Sequence, residues 1–224
     1  MDRARVREIA QWYVDKGDFM GVFEALYAEA ADAPEDIPWA DMQPNPQLIA
    51  WLAAADRQRM GRRALVVGCG LGDDAEYLAA AGFDVTAFDI APTAVALCQA
   101  RFPESKVTYV VANLLDLPAE LTDQFDFVVE IYTVQAMKRR YRSAALRGLA
   151  STLAPGGLLL IIARGREPDE DPGHMPWPLT KAELDEFKAL GLQEASFERY
   201  FDQESPPVRR FRATYRRLER QAAS

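Results

Sequence analysis

Apolar residues follow two patterns that alternate along the central part of this chain. Short, largely apolar runs predict buried strands, because a parallel strand covered on both faces has little room for polar residues. Between these runs, apolar residues recur every three or four positions, which predicts helices. The predicted strands are residues 64–67, 84–89, 107–112, 125–131 and 158–163. This alternation predicts a parallel sheet covered by helices.

The pattern differs on either side of this alternation. Helical spacing upstream is interrupted by a proline-rich connector, and a hairpin is predicted downstream. The upstream helices are predicted at residues 2–15, 18–30 and 47–59, and the hairpin strands at residues 192–201 and 208–218. Thr180 and Glu183 have the spacing of a capping box and open one more helix. We therefore predict an α/β fold, a three-layer Rossmann-like sandwich with a seven-stranded, mostly parallel sheet and one antiparallel strand.

A glycine-rich turn joins the first predicted strand to the helix that follows it. Gly68, Gly70 and Gly72 lack a Cβ where the backbone must turn sharply and approach a ligand. Asp89 ends the next strand, where a carboxylate can accept hydrogen bonds from the hydroxyls of a ribose. The sequence therefore predicts a nucleoside cofactor at the carboxyl edge of the sheet.

The glycine spacing bears on which nucleoside binds. Dinucleotide sites follow G-x-G-x-x-G, whereas this turn reads G-x-G-x-G and continues into Asp73 and Asp74. Two carboxylates at a helix N-terminus would repel a pyrophosphate. A cofactor without phosphates, S-adenosylmethionine, fits better. A nicotinamide or flavin dinucleotide and a glycine turn without a ligand remain alternatives.

Composition narrows the class of partner. The 224 residues include 49% hydrophobic and 27% charged residues, with a net charge of −8, which is ordinary for a globular protein but unsuited to nucleic acid. Arginines from Arg209 onward alternate with apolar residues, as on an edge strand with a solvated face. No apolar run is long enough for a membrane span. The two cysteines, Cys69 and Cys98, have no metal-ligand spacing, so we expect no metal and a cytoplasmic protein with reduced thiols.

Four motifs in order resemble those of class I S-adenosylmethionine-dependent methyltransferases. They are the glycine turn with Asp89, the segment from Val110 to Pro118, the segment from Phe125 to Glu130 in the fourth strand, and the segment from Leu153 to Leu160 with its Ala-Pro-Gly-Gly turn. The resemblance implies that Asn113 meets the adenine amino group and that Leu114 contacts the adenine ring. Glu130 would lie close to the methyl-transfer centre. By resemblance and position, the predicted cofactor-binding residues are Trp39, Gly68, Cys69, Gly70, Asp89, Ile90, Asn113, Leu114, Leu115 and Glu130.

Two further segments resemble the thiopurine, thiol and halide methyltransferase group. These are the stretch around Trp39, which covers the cofactor in that group, and the stretch from Gly173 to Thr180, which contains Trp177. The group has an arginine beside the fourth-strand acid where this chain has Ile131. We expect residues 1–60 to form a helical cap with a cofactor-lid segment, and residues 61–224 to form the methyltransferase core. Trp39 has the alternative of anchoring the N-terminal helices to the core.

Methyl transfer from a sulfonium is an in-line displacement that chiefly needs alignment of its two partners. We expect a small-molecule acceptor, with a thiol or other soft nucleophile favoured. Tyr132, Gln135 and Trp177 are the predicted substrate-binding residues, although packing or capping also explains the first two. His174, in the polar segment of residues 165–178, is the only candidate base, for an O- or N-methyltransferase. A cofactor-binding protein without turnover is a further alternative.

Overall fold

The computed structural model describes residues 3–57 and 60–219. Its seven strands form one sheet in the order β3-β2-β1-β4-β5-β7-β6. The strands are β1 (Arg63–Val67), β2 (Asp84–Asp89), β3 (Thr108–Val111), β4 (Phe125–Ile131), β5 (Leu153–Arg164), β6 (Leu192–Phe201) and β7 (Arg209–Arg217). The helices are α1 (Arg3–Asp15), α2 (Gly21–Glu29), α3 (Pro46–Ala54), α4 (Asp73–Ala80), α5 (Pro92–Arg101), α6 (Arg139–Thr152) and α7 (Lys181–Ala189).

The chain divides into two compact units. The first unit takes in the N-terminal residues up to Ala53 together with Gly68–Asn113. Within it, β2 and β3 pair in parallel, and α2 packs near α5. Glu24 of α2 accepts hydrogen bonds from both the backbone N–H and the hydroxyl of Thr93, at the start of α5. The Glu24 side chain therefore caps the start of α5 and fixes α2 against it.

The second unit takes in Ala54–Val67 and the chain from Leu114 onward. In it β1, β4 and β5 are parallel, and β7 runs antiparallel to both β5 and β6. Its core consists of fully buried aliphatic and aromatic side chains from the strands and from α6, including Phe127, Leu160, Leu146 and Leu149. One strand is thus antiparallel to its neighbours, as predicted.

The strand and helix predictions hold in order, with differences at the ends. The α2 helix begins at Gly21 and not at Asp18, although the Asp18 carboxylate does accept a hydrogen bond from the Gly21 N–H at 3.0 Å. The α3 helix ends at Ala54, and the final predicted residues, 58 and 59, lie outside the described part of the chain. The capping box of Thr180 and Glu183 is present in full.

Two predictions in the second unit are wrong. The β5 strand begins at Leu153, because Leu153 pairs with Phe125 before the glycine turn bulges outward and pairing resumes at Leu158. The strand β7 is not an edge strand, since β6 covers its outer side. Its Arg210 is buried and paired with Asp202 and Glu204, so this part of β7 has no solvated arginine face.

Candidate functional site

The glycine turn of the first unit has the backbone conformation that its sequence predicts. Gly68, Gly70 and Gly72 have φ values of 64°, 55° and 90°, in the left-handed region that favours glycine. A Cβ at Gly72 would lie 2.6 Å from the Tyr109 hydroxyl. The Cys69 N–H donates to the Phe88 carbonyl at 2.9 Å, which fixes the turn against the end of β2.

Asp89 is placed beside this turn, as the sequence predicts. Its side chain is 7% exposed, and its two carboxylate oxygens accept from the Gly70 and Ala91 N–H groups, each at 3.0 Å. Burial raises the Asp89 pKa to about 6, against the opposing effect of these backbone hydrogen bonds. A carboxylate has about four acceptor positions, so Asp89 can still accept from a ligand hydroxyl.

The two aspartates after the turn have structural partners. Asp73 forms two hydrogen bonds, each of 3.0 Å, with the Arg101 guanidinium. Asp74 accepts from the Asn45 N–H at 2.7 Å, and burial raises its pKa to about 6. Because Arg101 compensates the charge of Asp73, repulsion of a pyrophosphate is weaker than the sequence suggested. The preference for S-adenosylmethionine over a dinucleotide therefore depends more on the glycine spacing than on the two aspartates.

Tyr27 is a residue of this site that the sequence did not reveal. Its side chain is 3% exposed, and its hydroxyl lies 3.1 Å from the place of a Cβ at Gly70. The Trp39 indole N–H donates to the same hydroxyl at 3.0 Å, and the two rings meet edge to face. Burial, with the charge of Asp89 as a second cause, raises the pKa of Tyr27 well above its ordinary value. An aromatic residue on an apolar helix gives no sequence signal that distinguishes this position from core packing.

Trp39 therefore reaches the glycine turn through Tyr27. It is 39% exposed, and it follows Ile37, which is buried in one cluster with Leu71 of the turn. The lid and anchor interpretations of Trp39 remain compatible, since the same hydrogen bond serves both. The N-terminal segment is packed against the glycine turn within the first unit.

Both cysteines are buried beside the turn, as predicted. The Cys98 thiol donates to the Gly70 carbonyl at 3.1 Å. A side-chain hydrogen bond with Cys98, followed by burial, raises the pKa of Cys69 well above its ordinary value. The Cys69 thiol is therefore protonated at neutral pH, and both buried side chains pack as small apolar groups.

The remaining predicted cofactor residues lie around the strand ends of their own units. In the first unit, Ile90 follows Asp89, and Asn113 follows Ala112, whose N–H donates to the Asp89 carbonyl at 3.0 Å. In the second unit, Leu114 is buried against α6, where a Cβ at Gly148 would lie 2.4 Å from its carbonyl oxygen. Leu115 is half-buried.

Glu130 is the residue before the last of β4, in the second unit, and is fully buried. Its Oε1 atom accepts from the N–H groups of Thr133 and Val134 at 2.7 and 2.9 Å. Its Oε2 atom has no hydrogen-bond partner among the residues that the structure describes. Burial raises the pKa of Glu130 to about 7, opposed by those two backbone bonds. A buried carboxyl oxygen without a partner is unusual and indicates a ligand or proton position.

Tyr132 and Gln135 follow Glu130 with different roles. Tyr132 has a φ of 66°, which is strained for an aromatic residue, and its N–H donates to the Ile162 carbonyl at 3.0 Å. Gln135 is 4% exposed, and its Oε1 atom accepts from the Arg164 N–H at 2.5 Å. The Gln135 oxygen is thus used in packing, which favours the structural alternative for that residue.

The segment of residues 165–178 is fixed at both ends and exposed in its middle. Gly165 and Leu179 form a β-bridge, and the Trp177 N–H donates to the Gln135 carbonyl at 2.8 Å. Buried Arg142 donates to the Trp177 carbonyl at 2.7 Å and pairs with Glu183 at 2.6 Å. Burial, the largest single effect, acts to raise the pKa of Glu183, but the hydrogen bonds from the Thr180 backbone and from Arg142 together bring this pKa below its ordinary value. His174 is exposed in this segment.

The comparisons with known proteins agree with this geometry. The family described as "Methyltransferase domain" matches residues 64–157, from β1 to the glycine turn inside β5. Residues 64–157 thus match a methyltransferase domain, and this match and the curated relatives support the class I, S-adenosylmethionine-dependent part of the resemblance seen in the sequence. The thiopurine, thiol and halide group is not confirmed.

The curated relatives of the methyltransferase domain are O-methyltransferases. The ubiquinone biosynthesis O-methyltransferase of Xanthomonas axonopodis pv. citri is 35% identical over 126 residues, which are 55% of this chain and 52% of that protein. The counterpart from Xanthomonas oryzae pv. oryzae is 37% identical over 110 residues, 48% of this chain and 45% of that protein. The chain therefore matches about half the length of these relatives.

Solved structures confirm the fold around the methyltransferase domain. The 1,6-didemethyltoxoflavin-N1-methyltransferase of Burkholderia thailandensis has a TM-score of 0.69 and 19% identity, with 91% of this chain and 90% of that chain covered. A structure on the conversion of a disulfide bond into a thioacetal group during echinomycin biosynthesis has a TM-score of 0.73 and 22% identity, covering 91% and 93%. At these identities the likeness establishes a Rossmann-like methyltransferase fold and not a substrate. None of the described helices is long and apolar enough to cross a membrane.

Proposed function

We propose that this chain transfers the methyl group of S-adenosylmethionine to a small-molecule acceptor. The observation that carries the proposal is the bonding of Asp89 to Gly70 within a matched methyltransferase domain. A left-handed glycine turn held at the carboxyl edge of a sheet leaves backbone space for a ligand, and the carboxylate beside it accepts ribose hydroxyls. The absence of the third dinucleotide glycine favours this cofactor over a nicotinamide nucleotide.

The residues of the first unit fit this cofactor. We expect Asp89 to bind the ribose, the Gly68–Gly72 turn to lie against the amino-acid tail, and Asn113 to accept from the adenine amino group through its amide oxygen. Trp39 and Tyr27 would then cover the turn. Bound S-adenosylmethionine supplies an electrophilic methyl group on a sulfonium. The chain's own contribution is to orient the two reactants and to exclude water.

Glu130 is the residue of the second unit that we assign to the same chemistry. Burial deprives the Oε2 atom of Glu130 of its hydrogen bonds with water, and the structure describes no partner that replaces them. A cationic or hydroxyl group of a ligand could donate the missing hydrogen bond. With its pKa near 7, Glu130 can also hold a proton at neutral pH. This property fits an acceptor that must lose a proton on methylation better than it fits an acceptor that is already ionised.

The nature of the acceptor atom is the finer part of the proposal. The resemblance of the Trp39 and Trp177 segments to the thiopurine, thiol and halide group favours sulfur, whereas the curated relatives are named as O-methyltransferases. We favour an oxygen acceptor, because those relatives are 35–37% identical to this chain over 110 to 126 residues and because Glu130 can hold the proton that the acceptor loses. His174 is a weaker candidate for the base, since its side chain is exposed.

The test has a binding stage and a turnover stage. Ligand that binds only the native state raises the unfolding midpoint, so S-adenosylhomocysteine should raise it and NAD at equal concentration should not. A panel of phenols, thiols, amines and carboxylic acids is then screened for S-adenosylhomocysteine formation. Binding without turnover on any acceptor would leave a cofactor-binding protein. A higher midpoint with NAD alone would overturn the proposal.

A further inference from the structure

Two arginines and a tyrosine form a row across the strands β5, β7 and β6 of the second unit. Arg164 at the end of β5 is the direct partner of Arg210 on β7, and Arg210 is the direct partner of Tyr200 on β6. Direct partners on neighbouring strands present their side chains on the same face. The row lies at the carboxyl end of β5, the edge at which open α/β sheets bind ligands.

Tyr132 adds an aromatic surface to this row. Its ring lies beneath the Arg210 guanidinium, 4.8 Å from the guanidinium carbon to the ring centroid. Its left-handed backbone turns the chain out of β4 at this point, and such strain is retained where the surroundings impose it. A flat aromatic ring is thus held next to a buried cation, in the manner of an aromatic-ligand site.

Glu204 occupies the position between the two arginines. Its carboxylate pairs with the Arg210 guanidinium and lies 3.5 Å from that of Arg164. Glu204 is 45% exposed, whereas Arg210 is 7% exposed and keeps a second carboxylate partner, Asp202, at 2.7 Å. A half-exposed ion pair adds little stability, so a ligand carboxylate can replace the side chain of Glu204 at small cost.

Two hydrogen-bond donors of the row lack partners. The Nε atom of Arg164 and the hydroxyl of Tyr200 are both buried and have no partner within the described ranges 3–57 and 60–219. Burial raises the pKa of Tyr200, so its hydroxyl is neutral and can donate. Buried donors without acceptors are destabilising, and both are suited to ligand oxygens.

We propose that this row binds the carboxylate of a small aromatic acid, which is the acceptor class of the enzyme. Arg164 and Arg210 take the ligand carboxylate in place of Glu204, Tyr200 donates to an oxygen, and the ring packs against Tyr132. The inference rests on the proposed methyltransferase function and specifies its substrate. The nearby acids Asp202 and Glu198 stay on Arg210 and Arg212, and thus leave only Glu204 to be displaced.

The probes are benzoate and benzyl alcohol, which share a ring and differ in charge. Their dissociation constants are measured by ligand-observed NMR on the full chain saturated with S-adenosylhomocysteine. We expect benzoate to bind at least about tenfold more tightly than benzyl alcohol, as a charge-assisted bond of about 1.5 kcal/mol gives. Equal affinities, or no binding of either compound, would overturn the inference. Saturation by S-adenosylhomocysteine itself reports separately on the proposed function.

Substitutions in the row test whether the benzoate carboxylate binds at Arg164 in place of Glu204. Arg164→Gln should remove most of the preference for benzoate, while Glu204→Gln should increase it several-fold, because a competing carboxylate is lost. Arg216→Gln is the matched control, since Arg216 is exposed at the opposite end of β7 and donates to the Gly156 carbonyl. Loss of the preference in Arg216→Gln as large as in Arg164→Gln, or weaker benzoate binding in Glu204→Gln, would contradict the placement.

Discussion

Two buried carboxyl groups dominate the chemistry at the scale of single residues. Asp89 has both oxygens bonded to backbone N–H groups, whereas Glu130 has one oxygen without a described partner. Burial is the main cause of the raised pKa of each, and neither has a described basic side chain beside it. Their charge state near neutral pH therefore depends on what else comes into contact with them.

Glu130 should make the protein less stable as the pH rises from about 4.5 to 7. Its pKa is about 7 in the folded protein and near 4.5 when unfolded, so in this window the folded state holds a proton that the unfolded state has lost. Glu130→Gln cannot ionise and should flatten the curve of unfolding free energy against pH. The full shift corresponds to about 3 kcal/mol. Urea unfolding at several pH values measures this change.

The control for that prediction is Glu120→Gln, because Glu120 is exposed. Its curve should follow that of the wild type. If Glu130→Gln keeps the full wild-type slope between pH 4.5 and 7, Glu130 is not the buried proton-binding group.

Gly70 should tolerate no side chain, for two separable reasons. Its φ of 55° costs a non-glycine residue about 1–2 kcal/mol, and a Cβ would lie 3.1 Å from the Tyr27 hydroxyl. Gly70→Ala should therefore lower both stability and affinity for S-adenosylhomocysteine. Gly17→Ala has a φ of 77° and no atom within 4 Å of the new Cβ, so it should lower stability alone. Calorimetry and urea unfolding distinguish the two variants.

Adding Tyr27→Phe to Gly70→Ala tests the contact itself. Because Tyr27→Phe alone loses the hydrogen bond from Trp39, it is the reference for the double variant. Gly70→Ala should cost less stability in the Tyr27→Phe background than in the wild type, because only the backbone strain remains. An equal cost in both backgrounds would mean that the Tyr27 contact with the turn is unimportant.

Sequence reasoning worked best for residues whose roles depend on local backbone. Gly68, Gly70 and Asp89 adjoin one another as predicted, since a tight turn and a strand end fix their positions. It missed Tyr27 and Arg210, because a core aromatic and an arginine on an alternating strand look alike whether or not they contact a ligand. Only long-range pairing brings such residues to a site.

At the scale of elements, the segment of residues 165–178 is a loop fixed by buried anchors. Arg142 connects the Trp177 carbonyl to Glu183, whose carboxylate completes the capping box of α7. We predict that an endoproteinase specific for acidic residues cuts the free protein in the exposed middle of this loop. S-adenosylhomocysteine should slow that cleavage if the loop closes over a bound ligand. Equal cleavage rates with and without S-adenosylhomocysteine would show that the loop is a solvated connector that does not close over a ligand.

The same elements show where boundary prediction fails. The start of β5 was predicted five residues too late, because Ala-Pro-Gly-Gly reads as a turn although Leu153 before it already pairs with Phe125. The strand β7 was predicted at the edge, since alternating arginines suggest a solvated face. Pairing with β6 and with acids from the turn after it buries Arg210. Both failures come from contacts that are remote in sequence.

At the scale of the whole molecule, the order of strands and helices was predictable and the acceptor was not. Strand type depends on burial on both faces, which the apolar runs record directly. The acceptor depends on side chains gathered from β4, β5, β6 and β7, and one fold supports many such sets. Residues 1–60 as a separate cap remain a prediction, although residues 3–53 belong to the same compact unit as the glycine turn.

Cofactor affinity should also decrease as the pH falls, because Asp89 becomes protonated. Its pKa of about 6 means that acidification protonates the carboxylate and removes an acceptor for the ribose hydroxyls. The dissociation constant of S-adenosylhomocysteine should therefore rise as the pH falls from 7.5 to 5.5. An affinity that strengthens over this range would contradict the role of an ionised Asp89.

The most direct test of the cofactor assignment is a calorimetric titration of S-adenosylhomocysteine into the wild type and into two aspartate variants at pH 7.5. Asp89→Ala should weaken binding by about 10- to 100-fold, because losing a charge-assisted hydrogen bond costs about 1.5–3 kcal/mol. Asp84→Ala, at the exposed start of the same strand, should bind like the wild type. No binding by the wild type, or equal affinity in Asp89→Ala, would contradict the assignment of this turn as the cofactor site.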